Sequence, residues 1–414
     1  MAGRKLFFSV GEPSGDQHTA RLIAELSNMP TPITARGFGG PNMRAAGCRL
    51  DLELTNHAVV GLVEVLPKLA DFFRFADQAE TIFASGDVDG VVLVDFPGFN
   101  WHIARRARKH GIPVTYYCPP QLWAWGAWRA KKMKRLVDHV LAVLPIEDSF
   151  YQSRGIATTL VGHPFFDAIA DQSLDHATLA TIADAVGPRG RTIAVLPGSR
   201  EHEVRDNFPV FLETIRRLVA ANSWGSDSVR FAVAAYRDSH CLWCREQLDA
   251  NDENLPIDFY VNQTSEIIES AHCAMMVSGS VSLELMARLT PAAVLYRVGR
   301  LTHFVGKRVL QVDSITLPNL MGPRKVFPEM VCVGDPAPAV DFLHETVHAM
   351  LMDQFYFESL KRDLDQLRLQ HAMPGASQAA ANWLYHWLVG ASADATGHLE
   401  GTDQSEETIV PKAA

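Results

Sequence analysis

A rhythm that occurs twice limits the folds open to this chain more than any other feature. Short apolar runs of strand length alternate with longer segments of helical period, and most runs end in Gly, Pro, Ser or Asp. The first group is Leu6 to Val10, Gly90 to Val94, Val114 to Cys118 and His139 to Leu144. The second is Thr192 to Leu196, Arg230 to Ala234, Ala274 to Val277 and Ala292 to Tyr296. Runs apolar on both faces belong in a parallel sheet covered on each side, and their alternation with helices defines an α/β fold. Between the groups, from Gly162 to Pro188, the rhythm pauses for an Asp- and Ala-rich helical segment. The expected architecture is two doubly wound domains in series, residues 1–170 and 171–370, with a ligand crevice between the carboxyl ends of their sheets. A helix with Trp383, Tyr385 and Trp387 is expected to close the fold within residues 371–390. The small, polar and acidic residues of 391–414 predict a disordered tail.

Charge narrows the function classes. With 38 basic and 47 acidic side chains, the net charge of −9 repels nucleic acid as a whole. The longest apolar stretches fall far short of the roughly 18–20 residues that cross a bilayer. Only Leu6 to Val10 follows Arg4 and Lys5, too little for a secretory core of about 7–15 residues, so a cytoplasmic protein is expected. The six cysteines read as small buried hydrophobes, and Cys241 and Cys244 read as two thiols on one helix rather than a zinc or redox pair.

Four strand-to-helix turns carry the groups from which chemistry could be built. The first strand runs into Gly11-Glu12-Pro13-Ser14-Gly15-Asp16, ahead of a helix with Leu22, Ile23 and Leu26 on one face. Such a turn exposes N–H groups to an anion or a sugar hydroxyl. A plain tight turn needs the glycines but not the two acids. Asp95 ends a buried run and is followed by Phe96-Pro97-Gly98-Phe99-Asn100; there a carboxylate loses water and gains basicity. Leu196-Pro197-Gly198-Ser199-Arg200 precedes a helix with Phe208, Phe211, Ile215 and Leu218 on one face, and the arginine fork suits a diphosphate. Ser278-Gly279-Ser280 repeats that design, with Glu284 placed either to hold the two hydroxyls of a ribose or to act as a helix-capping acid.

Other segments are weaker signals. Gly37-Phe38-Gly39-Gly40-Pro41-Asn42 resembles a dinucleotide fingerprint but lacks its third glycine, contains a proline and does not follow the first strand, which disfavours NAD. Two aromatic segments are open to a core or a membrane-surface role. Trp123, Trp125 and Trp128 precede the basic run Arg129 to Arg135, and Leu66, Leu69, Phe72, Phe73 and Phe75 follow Gly61-Leu62-Val63-Glu64.

Taken in order, GEPSGD, GFGGPNMRAAG, GLVEVLPKL, VDFPGFN, PPQLWAW, LAVLPIE, VGHP, LPGSR, SGSVSLE and LPNL resemble the lipid-A-disaccharide synthase family over about residues 6–330. The resemblance implies a GT-B type fold: two Rossmann-like domains facing a central crevice, with a C-terminal helix packed back on the first domain. It implies an inverting transfer of 2,3-diacylglucosamine from its UDP derivative to the 6-hydroxyl of 2,3-diacylglucosamine 1-phosphate, giving a β-1,6 disaccharide and UDP. No cofactor and no metal are implied. Asp95 matches the family's catalytic aspartate, with Asp16 and His18 as runners-up for the base, and Arg200 matches its essential arginine. The substrate-binding set is Gly11, Glu12, Ser14, Gly15, Asn100, Ser199, Arg200, Ser278, Gly279, Ser280, Glu284, Asn319 and Arg324. The expected partners are these two lipids and the inner face of the cytoplasmic membrane, held peripherally, with the protein a monomer or homodimer. At the level of the residues, a GT-B enzyme acting on a soluble UDP-sugar, or a non-catalytic nucleotide-sugar binder, stays open.

Overall fold

The computed structural model describes residues 3–57, 69–221, 228–300, 304 and 313–393. Its first sheet holds β1 (Lys5–Val10), β2 (Thr34–Gly39), β3 (Arg49–Glu53), β4 (Gly90–Val94), β5 (Val114–Tyr117), β6 (His139–Ala142) and β7 (Thr158–Leu160). The spatial order is β3-β2-β1-β4-β5-β6-β7, with every pair parallel. The second sheet holds β8 (Arg191–Leu196), β9 (Val229–Ala235), β10 (Ile257–Val261), β11 (Ala271–Val277), β12 (Ala292–Val298) and β13 (Glu329–Val333). Its order is β10-β9-β8-β11-β12-β13, again all parallel. The predicted α/β architecture with two doubly wound sheets is the one observed.

The helices of the first half that bear on the site are α1 (Pro13–Ser27), α2 (Pro41–Ala45), α3 (Leu69–Ala84), α4 (Pro97–Lys109), α5 (Leu122–Trp125), α6 (Ala130–Leu136) and α7 (Pro145–Gln152). In the second half they are α8 (Glu201–Ala221), α9 (Asp238–Glu246), α10 (Val281–Ala287) and α11 (Leu317–Met321), and α12 (Ala376–Ala393) ends the described chain. The α1 face predicted from periodicity, Leu22, Ile23 and Leu26, is buried, as is the α8 face of Phe208, Phe211, Ile215 and Leu218. Each such side chain contributes about 1.5–3 kcal/mol by leaving water, which fixes helix to sheet. Cys241 and Cys244 lie on α9 as free, buried thiols.

Gly37 belongs to β2 rather than to a phosphate loop. Its φ is +142°, and a Cβ there would stand 2.1 Å from the Phe8 carbonyl oxygen, so the glycine lets β1 and β2 approach.

The C-terminal helix packs back on the first domain, as the resemblance implied. Helix α12 lies against α1, Trp383 stacks on His139 with centroids 4.2 Å apart, and a Cβ on Gly90 would come within 3.0 Å of the Trp387 ring. Asp167 fastens its start by accepting from the N–H groups of Gly375, Ala376 and Ser377. Among the described residues no helix is long and apolar enough to cross a membrane. The segment Gly61 to Lys68, including Leu66, and the tail beyond residue 393 lie outside the described residues.

Candidate active site

In a doubly wound sheet the chain leaves in opposite directions from two adjacent strands, and the gap outside their carboxyl ends takes the ligand. Those pairs are β1/β4 in the first sheet and β8/β11 in the second. The four turns singled out in the sequence follow these four strands: Gly11 to Gly15 after β1, Asp95 after β4, Gly198 to Arg200 after β8, and Ser278 to Ser280 after β11.

Three cavities join there and share Ser278. One of about 660 Å³ is walled from the first half by Ser14, Gly15, His18, Asp95 and Glu147, and from the second by Ser278, Gly279 and Ser280. One of about 300 Å³ lies within the second half, between Gly198-Ser199-Arg200 and Ser278-Gly279-Ser280. A third, of about 510 Å³, runs between Trp123 and Trp125 on one side and Arg200, Tyr296 and Arg297 on the other.

The first-half wall is rich in carboxyl groups short of water. Burial raises Asp95 above the ordinary carboxylate range, against a lowering by the Phe96 N–H. Glu12, expected to bind substrate, lines none of the three cavities and stands behind this wall; burial and then the Asp95 charge raise it, while Arg200 across the crevice pulls it back. Glu147 is fully buried and pushed up to about 7, chiefly by burial, although the Val143 and Leu144 N–H groups donate to it at 3.0 and 3.2 Å. His18 and His163 meet edge to face, 5.8 Å between centroids. Burial drives them down to about 4 and about 3, so both rings are neutral at pH 7. Sequence reasoning missed Glu147 and His163 as site residues, though each stands in a quoted motif, LAVLPIE and VGHP.

The second-half wall is more open. Arg200 is exposed, and its guanidinium lies 2.7 Å from Glu203. The other Glu203 oxygen accepts from the N–H groups of Ser199 and Arg200 at 3.0 and 3.1 Å. The donors that sequence reasoning offered to a diphosphate therefore hold a carboxylate in its place. Burial acts to raise Glu203 and is outweighed by Arg200 and the two N–H groups, which leave it lowered. Glu203 was also missed; its position three residues after Arg200, on the first turn of a helix, is the signal that could have found it.

Several expected site residues do not line these cavities. Asp16 is buried, and its two oxygens accept from Gly40, Asn42 and Met43 N–H and from the Asn42 amide, at 2.8–3.1 Å, fixing the start of α2. Gly11 is buried under Phe96, whose ring would stand 2.3 Å from a Cβ there. Asn100 is buried beneath the Asp95 turn. Glu284 is buried and paired with Arg288 at 3.0 Å. Asn319 ties Val326, Phe327 and Glu329 to α11. Arg324 is exposed, 3.4 Å from Asp363, on a separate cavity of about 220 Å³.

Two facing parallel α/β sheets with the site between them define the GT-B class, and solved structures agree on the fold. A UDP-GlcNAc 2-epimerase from Neisseria meningitidis bound to UDP-GlcNAc superposes with a TM-score of 0.61 at 12% identity, covering 92% of this chain and 99% of that one. A UGT transferase from Siraitia grosvenorii in complex with UDP gives 0.56 at 13% identity, covering 93% and 99%. The family model described as lipid-A-disaccharide synthetase matches residues 6–343. The lipid-A-disaccharide synthase of Syntrophus aciditrophicus is 31% identical over 92% of this chain and 97% of its own length. That of Coxiella burnetii is 30% identical over 94% of this chain and 100% of its own. The chain belongs to the lipid-A-disaccharide synthetase family.

Proposed function

We propose that this chain transfers 2,3-diacylglucosamine from UDP-2,3-diacylglucosamine to the 6-hydroxyl of 2,3-diacylglucosamine 1-phosphate, forming the β-1,6 disaccharide 1-phosphate and UDP. Within the family assignment, one observation carries the mechanism: a desolvated Asp95 stands on the same cavity as the Ser278-Gly279-Ser280 turn. The 300 Å³ cavity takes the UDP, with Arg200 and the Gly198-to-Arg200 turn on its diphosphate. The acceptor sugar then lies against Asp95. Its 6-oxygen attacks the anomeric carbon in line, the hydroxyl proton passes to the Asp95 carboxylate, and the sugar–phosphate bond breaks with its electron pair leaving on UDP. A base raised by burial takes that proton more readily, provided the pH keeps it ionised. Arg200 neutralises charge that grows on the leaving diphosphate.

Peripheral contact with the cytoplasmic face of the inner membrane belongs to the same proposal. Trp128 is 74% exposed, and the Arg129 guanidinium lies 4.6 and 4.9 Å from the Trp125 and Trp128 rings. Lys131, Lys134 and Arg135 are exposed on α6, next in the chain. Aromatic rings beside cations suit an anionic lipid surface, and Trp125 also lines the crevice. Purified protein given both lipid substrates should release UDP and disaccharide in equal amounts; a well-folded preparation that yields neither sinks the reading.

A further inference from the structure

The turn that carries Asp95 is strained, and the strain is held in place by buried groups packed above and below it. Asp95 and Phe96 both adopt left-handed backbone, φ 45° and 43°, and neither is glycine. Two such residues in succession do not persist unless their surroundings fix them. From above, the Phe96 ring sits where a Gly11 side chain would be and packs near Phe72 and Phe99. From below, the Asn100 amide nitrogen donates to the carbonyls of Ser9, Val94 and Asp95, at 3.2, 3.0 and 2.8 Å. The Ser9 hydroxyl donates to the Asn100 amide oxygen at 2.7 Å, so the amide has one orientation only. The Tyr116 hydroxyl completes the set by donating to the Asp95 carbonyl at 2.5 Å. Ser9, Asn100 and Tyr116 are all buried.

We propose that Asn100, oriented by Ser9 and joined by Tyr116, is the positioning device for Asp95: it holds the carbonyl of the strained turn so that the carboxylate stays aimed into the crevice. The inference rests on the reading of Asp95 as the base. It also replaces the expectation that Asn100 binds substrate, since Asn100 touches the backbone of the base's own turn from inside the fold. A buried network whose side-chain donors are all used has little freedom to shift, and a base displaced by about 1 Å loses on the order of 10²-fold in rate.

The test uses the full chain. Ser9→Ala and Tyr116→Phe each remove one hydrogen bond and keep the shape of the core; Asn100→Ala removes the whole clasp. Circular dichroism and UDP affinity establish that each variant is folded. Tyr116→Phe and Ser9→Ala should lower kcat about 5- to 50-fold with KM for both lipids unchanged. The acidic limb of the kcat–pH profile should move to lower pH, because a carboxylate released toward solvent loses the burial that raises it. Glu12 from the first turn, Cys118 and Tyr116 from β5 and its end, and Glu147 from α7 face Asp95. Of these only Tyr116 is altered, so Ser9→Ala moving the limb in the same sense excludes a direct effect of the phenol. In an Asp95→Ala background neither substitution should change the residual rate. Wild-type kcat and pH profile in both single variants overturn the positioning role even where Asp95→Ala is inactive. An active Asp95→Ala overturns the base assignment instead.

Discussion

The two walls of the crevice meet the same topological demand with different materials. Each must turn its chain sharply at the end of a buried strand. At the crevice the second half gives its left-handed position to glycine, Gly198 at φ 123°, and leaves Gly279 in open space, while its non-glycine residues of positive φ, Asn262 and Leu289, line none of the three cavities. The first half places Asp95, Phe96 and Cys118 at φ 45°, 43° and 47°, at about 1–2 kcal/mol of strain each. Glycine suits a turn that must let a diphosphate approach its backbone. A non-glycine residue is needed where the turn must present a side chain, and the surrounding network then bears the strain. On the proposed function, proton transfer falls to the first wall and leaving-group binding to the open one.

The sharpest way to break that division is to remove one group from each wall. Asp95→Ala should lower kcat by about 10³-fold or more while UDP affinity stays within about twofold, by titration calorimetry. Weakened UDP binding would place the carboxylate on the nucleotide side instead. Arg200→Ala should lower kcat/KM by about 10²-fold and weaken UDP binding with it, and Arg200→Lys should recover little, because the planar fork is lost. Arg200→Ala with unchanged UDP affinity would detach the arginine from the diphosphate.

The same contrast between interior and edge decided what could be read from the sequence. The runs assigned from apolar patterning are β1, β4, β5, β6, β8, β9, β11 and β12, which have neighbours on both sides. The strands not foreseen are the four outermost, β3, β7, β10 and β13, with half-exposed residues such as those of Ile257–Val261 and Glu329–Val333, and one interior strand, β2, whose Thr34-Ala35-Arg36-Gly37-Phe38-Gly39 offers no continuous apolar run. Edge strands are covered less and need no continuous apolar run. The four site turns were legible because Gly, Ser and Asp at the end of a buried strand are local signals. The commitments of Asp16 to α2, of Asn319 to Phe327 and of Asn100 to the Asp95 turn were not. Each pairs a side chain with backbone brought close only by the fold, and a polar residue in a motif looks the same whether it faces a ligand or a carbonyl.

A smaller effect tests how dry the first wall is. His18 and His163 are pushed down to about 4 and about 3 by burial, so the folded protein resists protons that the unfolded chain takes up near pH 6.5. Their stabilisation is therefore complete above pH 6.5 and is lost as the pH falls from there toward 4. At pH 5 the His18 share is about 2 kcal/mol. Urea midpoints of the wild type should fall between pH 7 and pH 5 by more than those of His18→Gln. Parallel pH dependence in the two proteins would show that this wall is wet.

The smallest expected effect sharpens the description of the open wall. Glu203 occupies, with its own oxygens, the Ser199 and Arg200 N–H groups and the Arg200 guanidinium. A bound diphosphate must share those donors or displace the carboxylate, and like charges oppose sharing. Glu203→Gln keeps the shape of the turn and removes the competing charge, so UDP should bind about 2- to 5-fold more tightly at pH 7, with the difference shrinking as salt screens the site. Weaker UDP binding in the variant would mean that the carboxylate shapes the turn for the nucleotide rather than standing in its place. The open wall would then be preorganised like the other, with an anion in the role that Asn100 plays beneath Asp95.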